Sequence, residues 1–241
     1  MNLQIKESWV VGGLLLVGLV AGVALNRQLT PPAPAPTPEI EGLLWPSPPL
    51  VAPFSLVNKT GAPVTEQDLR GQWDLLFFGF THCPDVCPTT LRTLAQVQTR
   101  FEAETGLRLP RVFFVSVDPE RDQVDTLREY VDFFSPEFEG LTGDPDSVAR
   151  MTRNLGIIAV KTQQDGQSLH AGHGDGNGHA NVPDGDPDGH TAVDNYGIDH
   201  TVSLLLVDPQ GRLAGILTAP HSATDLPARM ANIMNFVNAA D

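Results

Sequence analysis

The two cysteines of the chain, Cys83 and Cys87, stand four positions apart in the run Cys83-Pro84-Asp85-Val86-Cys87-Pro88. A separation of four is close to one helical turn, so both sulfurs face the same side if a helix begins here. Asp85 is the expected N-cap, and Pro88 falls in the first turn, where its missing N–H is harmless. Both thiols then lie near the positive end of the helix dipole, which favours thiolates. Such a pair can bridge as a disulfide or chelate a single ion. With no further cysteine in the chain, a framework of several bridges is excluded, and the pair reads as redox-active or metal-binding. Cys83 is expected to be the more exposed of the two.

Two thiolates leave a protein-bound copper or zinc incompletely held, so a third ligand must come from elsewhere. His200 is the leading candidate, in Tyr196-Gly197-Ile198-Asp199-His200-Thr201, directly before the apolar run from Val202 to Val207. The alternative is a histidine at a strand end that bonds only its neighbours. His82 competes by adjacency, but a residue next to Cys83 at a strand end points away from it.

These residues need elements to position them. Residues from Trp73 to Phe80 (WDLLFFGF) and from Arg111 to Asp118 (RVFFVSVD) are continuous apolar runs of the kind found in buried strands. Between them Leu91, Leu94, Val97 and Phe101 recur at helical spacing, which predicts strand, helix, strand and a parallel crossover. Further helices are expected after Asp122, with Val124, Leu127, Val131 and Phe134; after Asp144-Pro145, closed by Gly156; and after Thr224. Residues 54–58 with the following Lys59-Thr60-Gly61 turn predict an opening hairpin. Asp208-Pro209-Gln210-Gly211 predicts a closing hairpin between residues 202–207 and 213–217. Parallel strands, a terminal hairpin and flanking helices make a mixed α/β sheet of thioredoxin-like type.

Around this domain, expected over residues 51–241, lie segments of other character. The 18 residues from Ser8 to Leu25 carry no charge and just reach the span of a bilayer core, so residues 1–27 are expected to be an N-terminal transmembrane anchor rather than a cleaved signal peptide. Lys6 and Arg27 flank that span and favour an N-in, C-out orientation, with the domain on the outer side. Residues 28–50 are proline-rich and read as an extended spacer. Residues 162–195, rich in Gly, Asp and His, read as an insertion whose His170, His173, His179 and His190 suit weak metal recruitment. Residues 184–189 imitate the start of an EF-hand loop, but Asn195 stands where the bidentate Glu belongs. The net charge of −14 argues against nucleic acid and anionic lipid as partners and is compatible with a cationic cargo.

Three stretches together resemble the signatures of the Sco/SenC family: Gly79-Phe80-Thr81-His82-Cys83-Pro84-Asp85-Val86-Cys87-Pro88, Val117-Asp118-Pro119-Glu120-Arg121-Asp122, and Asp199-His200-Thr201. They occur in the family's order, and the resemblance runs from about Phe54 to the C-terminus. It implies a membrane-anchored copper chaperone in which Cys83, Cys87 and His200 bind Cu(I) or Cu(II). It also implies assistance in assembling the binuclear copper centre of cytochrome c oxidase subunit II, in some members by reducing thiols. A thioredoxin-type reductant, another periplasmic copper chaperone and a bacterial inner-membrane location facing the periplasm follow as expectations. Soft sulfur suits Cu(I), and imidazole extends such a site to Cu(II). Asp118 is a candidate to support the site without touching the metal, or else a turn residue at Asp118-Pro119. The competing function is a membrane-anchored thiol–disulfide oxidoreductase with Cys83 and Cys87 as its redox pair. Against it, there is no C-x-x-C, and His200 stands where thioredoxins place a cis-proline. No catalytic residue is expected beyond that pair.

Overall fold

The computed structural model describes residues 39–163 and 196–240. By its contacts the chain divides into Met1–Glu39 and Ile40–Asp241, and the fold is that of the second unit. The expected anchor at residues 1–27, residues 28–38 of the proline-rich spacer and nearly all of the insertion lie outside the described residues. Among the described residues no helix is long and apolar enough to cross a membrane.

The chain opens with β1 (Ser55–Asn58) and β2 (Pro63–Thr65), paired antiparallel as the Lys59-Thr60-Gly61 turn predicts. The Asn58 side chain holds that turn by accepting from the Thr60 and Ala62 amides at 3.0 and 2.9 Å. Next comes β3 (Asp74–Gly79), all six of whose residues are buried. It lies between β4 (Arg111–Ser116), in parallel register, and β8 (Ser203–Val207), antiparallel. A strand flanked on both sides and covered on both faces has no solvent-facing position, which accounts for its unbroken apolar run. At its start Asp74 takes a two-pronged contact from Arg111, 2.9 Å to Nε and 3.1 Å to Nη2. With β5 (Glu139–Thr142) beside β4 and β9 (Leu213–Thr218) beside β8, the seven-stranded order is β2-β1-β5-β4-β3-β8-β9.

Five helices connect and flank these strands: α1 (Val86–Gln98), α2 (Phe101–Thr105), α3 (Val124–Phe134), α4 (Pro145–Asn154) and α5 (Leu226–Ala240). The expected single helix through Phe101 is broken at Thr99 and Arg100, and Phe101 instead begins α2, fully buried. For α4 the cap is as expected: the Asp144 side chain accepts the Ser147 amide at 2.9 Å, with Pro145 in the first turn. Asp122 does not cap α3. Gln123 occupies that position, because the Asp122 carboxylate is taken by Thr81 and Ser116.

Two features were not expected from the sequence. Residues 42–51 lie along β9: the Leu44 amide donates to Ala214 O and the Ile216 amide to Gly42 O, both at 2.8 Å, and the Val51 amide reaches Gly211 O at 2.9 Å. Gly42 (φ 80°) is needed there, since a Cβ would stand 2.3 Å from the Ile216 carbonyl oxygen. Trp45 packs edge-on against Phe236 of α5 at 5.0 Å. Secondly, β6 (Ala159–Gln163) and β7 (Tyr196–His200) pair with each other, antiparallel, outside the main sheet. Residues 164–195, and with them the four insertion histidines, lie between these two strands and outside the described residues.

Candidate metal centre

The three candidate ligands are brought to one point by two unlike supports. Cys83 and Cys87 stand where β3 gives way to α1. The turn is closed by the Cys83 amide donating to Phe80 O at 3.2 Å. Asp85 occupies the N-cap position of α1 but makes no side-chain cap. A free amide of the first turn, that of Cys87, instead donates to Cys83 Sγ at 3.4 Å, so the sulfur does the work expected of the carboxylate. His200 is the last residue of β7 rather than part of a loop, and its Nε2 lies 3.4 Å from Cys87 Sγ. One ligand atom from each of the three residues lies within 4.8 Å of the others. Nδ1 of His200 is 3.2 Å from Thr201 O. A tautomer with the proton on Nδ1 would donate there and would offer Nε2 to a metal ion held by the sulfurs. Phe80 meets the imidazole edge-on, with 5.8 Å between centroids, and fixes the ring plane.

Burial and hydrogen bonding divide the two thiols. Cys83 is 8% exposed and Cys87 fully buried, so Cys83 is the member reachable from solvent. The Cys87 thiol donates to Cys83 and holds its pKa down to about 4 against the opposing effect of burial, with His200 and the amides of Cys87 and Asp85 helping. The same hydrogen bond, followed by burial, pushes the Cys87 thiol up. The pair therefore keeps one proton between two sulfurs, an arrangement in which a cation can take the proton's place.

Gly79, the last residue of β3, makes room for this. A Cβ there would stand 2.7 Å from Cys87 Sγ and 2.6 Å from the Phe114 ring. His82 points away, as expected: it is exposed, its Nδ1 is 3.0 Å from Thr81 Oγ1, and it has no part in the group of three. Asp118 is fully buried, and its contacts run to residues other than the three candidate ligands. Its carboxylate accepts from Arg121 Nε and, at 2.5 Å, from the Tyr196 hydroxyl, while its carbonyl closes the turn to Arg121 and Asp122. Tyr196, Arg121, Asp122, Gly79 and Phe80 were missed as site residues. The available signals were an aromatic residue bordering a polar segment and a basic residue three places after Asp118. Cys83, Pro84, Val86, Gly197, Asp199 and His200 together line an open cavity of about 470 Å³ beside the thiols.

A mixed sheet with a dithiol at its strand-to-helix corner, faced by an imidazole from a separate ribbon, defines a thioredoxin-like protein with a soft-metal donor set. The family model described as SCO1/SenC matches residues 46–176, and the chain belongs to that family. It is 38% identical over 72% of its length to the mitochondrial SCO2 homolog of Mus musculus, of which the match spans 58%. A protein of Stutzerimonas stutzeri described as a putative copper-binding protein is 31% identical over 80% of this chain and 81% of its own. Among solved structures, Arabidopsis thaliana ScoI with copper bound superposes with a TM-score of 0.62 at 30% identity, covering 78% of this chain and 99% of that one.

Proposed function

We propose that this protein is a copper-binding metallochaperone that holds one copper ion with Cys83, Cys87 and His200. The observation that carries the reading is the convergence of two sulfurs and one imidazole nitrogen within 4.8 Å. Thiolates are the preferred donors of Cu(I), and a neutral imidazole adds the harder donor that Cu(II) requires. The copper-bound state of the Arabidopsis relative and the description of the Stutzerimonas relative agree with that choice of metal.

The recipient in this reading is the binuclear copper site of cytochrome c oxidase subunit II, as the family resemblance implies, with a thioredoxin-type reductant and another periplasmic copper chaperone as upstream partners. The uncharged run from Ser8 to Leu25 supports tethering to a bacterial inner membrane, with the copper domain on the periplasmic side. A second reading is favoured by the thiol pair itself. A low-pKa, partly accessible Cys83 beside a buried Cys87 is also the arrangement of a dithiol reductant, which would reduce the recipient's thiols instead of metallating them.

The test is an anaerobic Cu(I) titration of the full chain against a chromogenic chelator. One tight equivalent is expected, and none in a Cys83→Ser, Cys87→Ser double variant. Tight copper retained by that variant would overturn the assignment. Deleting the gene and measuring oxidase copper content, with surplus copper as a rescue arm, separates delivery from thiol reduction: rescue marks delivery.

A further inference from the structure

Among the described residues the strand of His200, β7, pairs with β6 and not with the main sheet. The short chain step from His200 to β8 at Ser203 ties one end of β7 to that sheet, and the Tyr196 end needs a second anchor outside the ladder. The residues that follow β4 supply it. On one side of the turn 118–122, Asp122 accepts from the Thr81 amide at 3.0 Å and the Thr81 hydroxyl at 2.6 Å, which pins the loop leading into Cys83. Ser116 at the end of β4 donates to the same carboxylate at 2.6 Å. On the other side, Asp118 accepts from the Tyr196 hydroxyl at 2.5 Å, and Arg121, itself paired with Asp118, donates to Tyr196 O at 3.2 Å. The guanidinium also lies 3.8 Å from the Tyr196 ring centroid. Both carboxylates are fully buried.

We propose that the turn 118–122 is a two-sided clamp that sets the spacing of the copper ligands, with Asp122 fixing the thiol loop through Thr81, and Asp118 with Arg121 fixing the His200 strand through Tyr196. These are positioning residues; none reaches the donor atoms. The inference rests on the copper reading given above and adds a specificity to it. A buried carboxylate has no water to replace a lost partner, so the Tyr196 contact persists in the folded protein. Cu(I) is held by two thiolates alone, whereas Cu(II) needs the imidazole in place. Loosening the Tyr196 side of the clamp therefore acts on Cu(II) and spares Cu(I).

Tyr196→Phe in the full chain is the test, since it removes one hydroxyl and leaves Asp118 paired with Arg121 and the ring beneath the guanidinium. The expected result is a thermal midpoint lowered by several degrees, the effect of losing a hydrogen bond to a buried charged acceptor, with Cu(I) affinity within about twofold of wild type and Cu(II) affinity lower by about tenfold or more. The thiolate-to-Cu(II) absorption band should shift, and in the metal-free protein amide exchange at Ile198 and His200 should quicken. A Glu104→Gln variant, which breaks the exposed Arg100–Glu104 pair at 3.2 Å away from the turn, should leave all of these as in wild type. Tyr196→Phe protein with the wild-type Cu(II) band and wild-type amide exchange would overturn the clamp while leaving the copper reading intact. Equal changes in the Glu104→Gln variant would overturn it too. Copper kept by the double cysteine variant would instead overturn the underlying reading.

Discussion

Gly79 is the residue whose replacement most directly tests how the site is packed. An alanine Cβ there would meet Phe114 at 2.6 Å and Cys87 Sγ at 2.7 Å. Ordinary carbon contacts settle at about 3.5–4.0 Å, so each neighbour falls short by roughly an ångström. Neither has room to retreat. Phe114 is fully buried between Phe77 and Tyr130, with ring centroids 5.7 and 5.4 Å away, and Cys87 is fully buried in the first turn of α1. Overpacking of this kind costs about 1–3 kcal/mol. With a urea slope of roughly 2 kcal/mol per molar, the unfolding midpoint of Gly79→Ala should fall by roughly 0.5–1.5 M. Copper should suffer separately, because a displaced Cys87 sulfur no longer lies 3.4 Å from His200 Nε2. The two effects come apart in a double variant. Phe114→Leu in the Gly79→Ala background relieves the aromatic clash and should recover part of the stability while copper affinity stays low. Wild-type stability and wild-type copper binding in Gly79→Ala protein would refute the argument that close approach of the sulfur to β3 makes the site.

Three further outcomes are expected. His200→Ala should weaken Cu(II) binding by at least about tenfold more than Cu(I) binding, a difference of about 1.4 kcal/mol, measured by parallel competition titrations. Oxidation should draw the two sulfurs from their present spacing to a bond of about 2.05 Å and remove both thiolates at once, so oxidised protein should take up Cu(I) only after reduction, as thiol counts and titration on the same sample would show. The low Cys83 pKa of about 4 means that its thiolate persists as pH falls and is lost only on passing through that value. Its alkylation rate should therefore stay nearly flat from about pH 8 to about pH 6, where an ordinary cysteine loses roughly tenfold per unit. A tenfold fall per unit over that range would show that the proton on Cys87 does not support Cys83.

The parts of this fold legible in the sequence are those where local chemistry and tertiary environment agree. The apolar run WDLLFFGF became a buried central strand because nothing about its neighbours contradicts its composition, and Asp144-Pro145 capped α4 because no other partner claims the Asp144 side chain. Asp122 shows the opposite case. Its position before an amphipathic helix is a good capping signal, but a half-buried Thr81 hydroxyl and a buried Ser116 hydroxyl outcompete the helix amide. The β6–β7 ribbon was hidden for a different reason. Its strands are five residues each, carry Gly197, exposed Asp199 and exposed Val160, and border the Gly-, Asp- and His-rich stretch, so the apolar signal is too short to stand out. The candidate donors could be singled out because the chain has two cysteines, four positions apart, and the structure brings them together with His200. The residues that hold them could not, because Arg121 and Tyr196 are 75 positions apart and meet only in the fold.

The segment 42–51 lying along β9 has a consequence for how molecules of this protein meet one another. A sheet ends in two flanks, and a bare flank is a row of unpaired amides and carbonyls to which a second copy can add. On one side the outermost strand, β2, is three residues long and begins with Pro63, which has no N–H to offer. On the other, the outward amides of Leu213 and Ile216 are already occupied, by Pro49 O and Gly42 O. With both flanks of the seven-stranded sheet protected, edge-to-edge addition of a second copy is disfavoured.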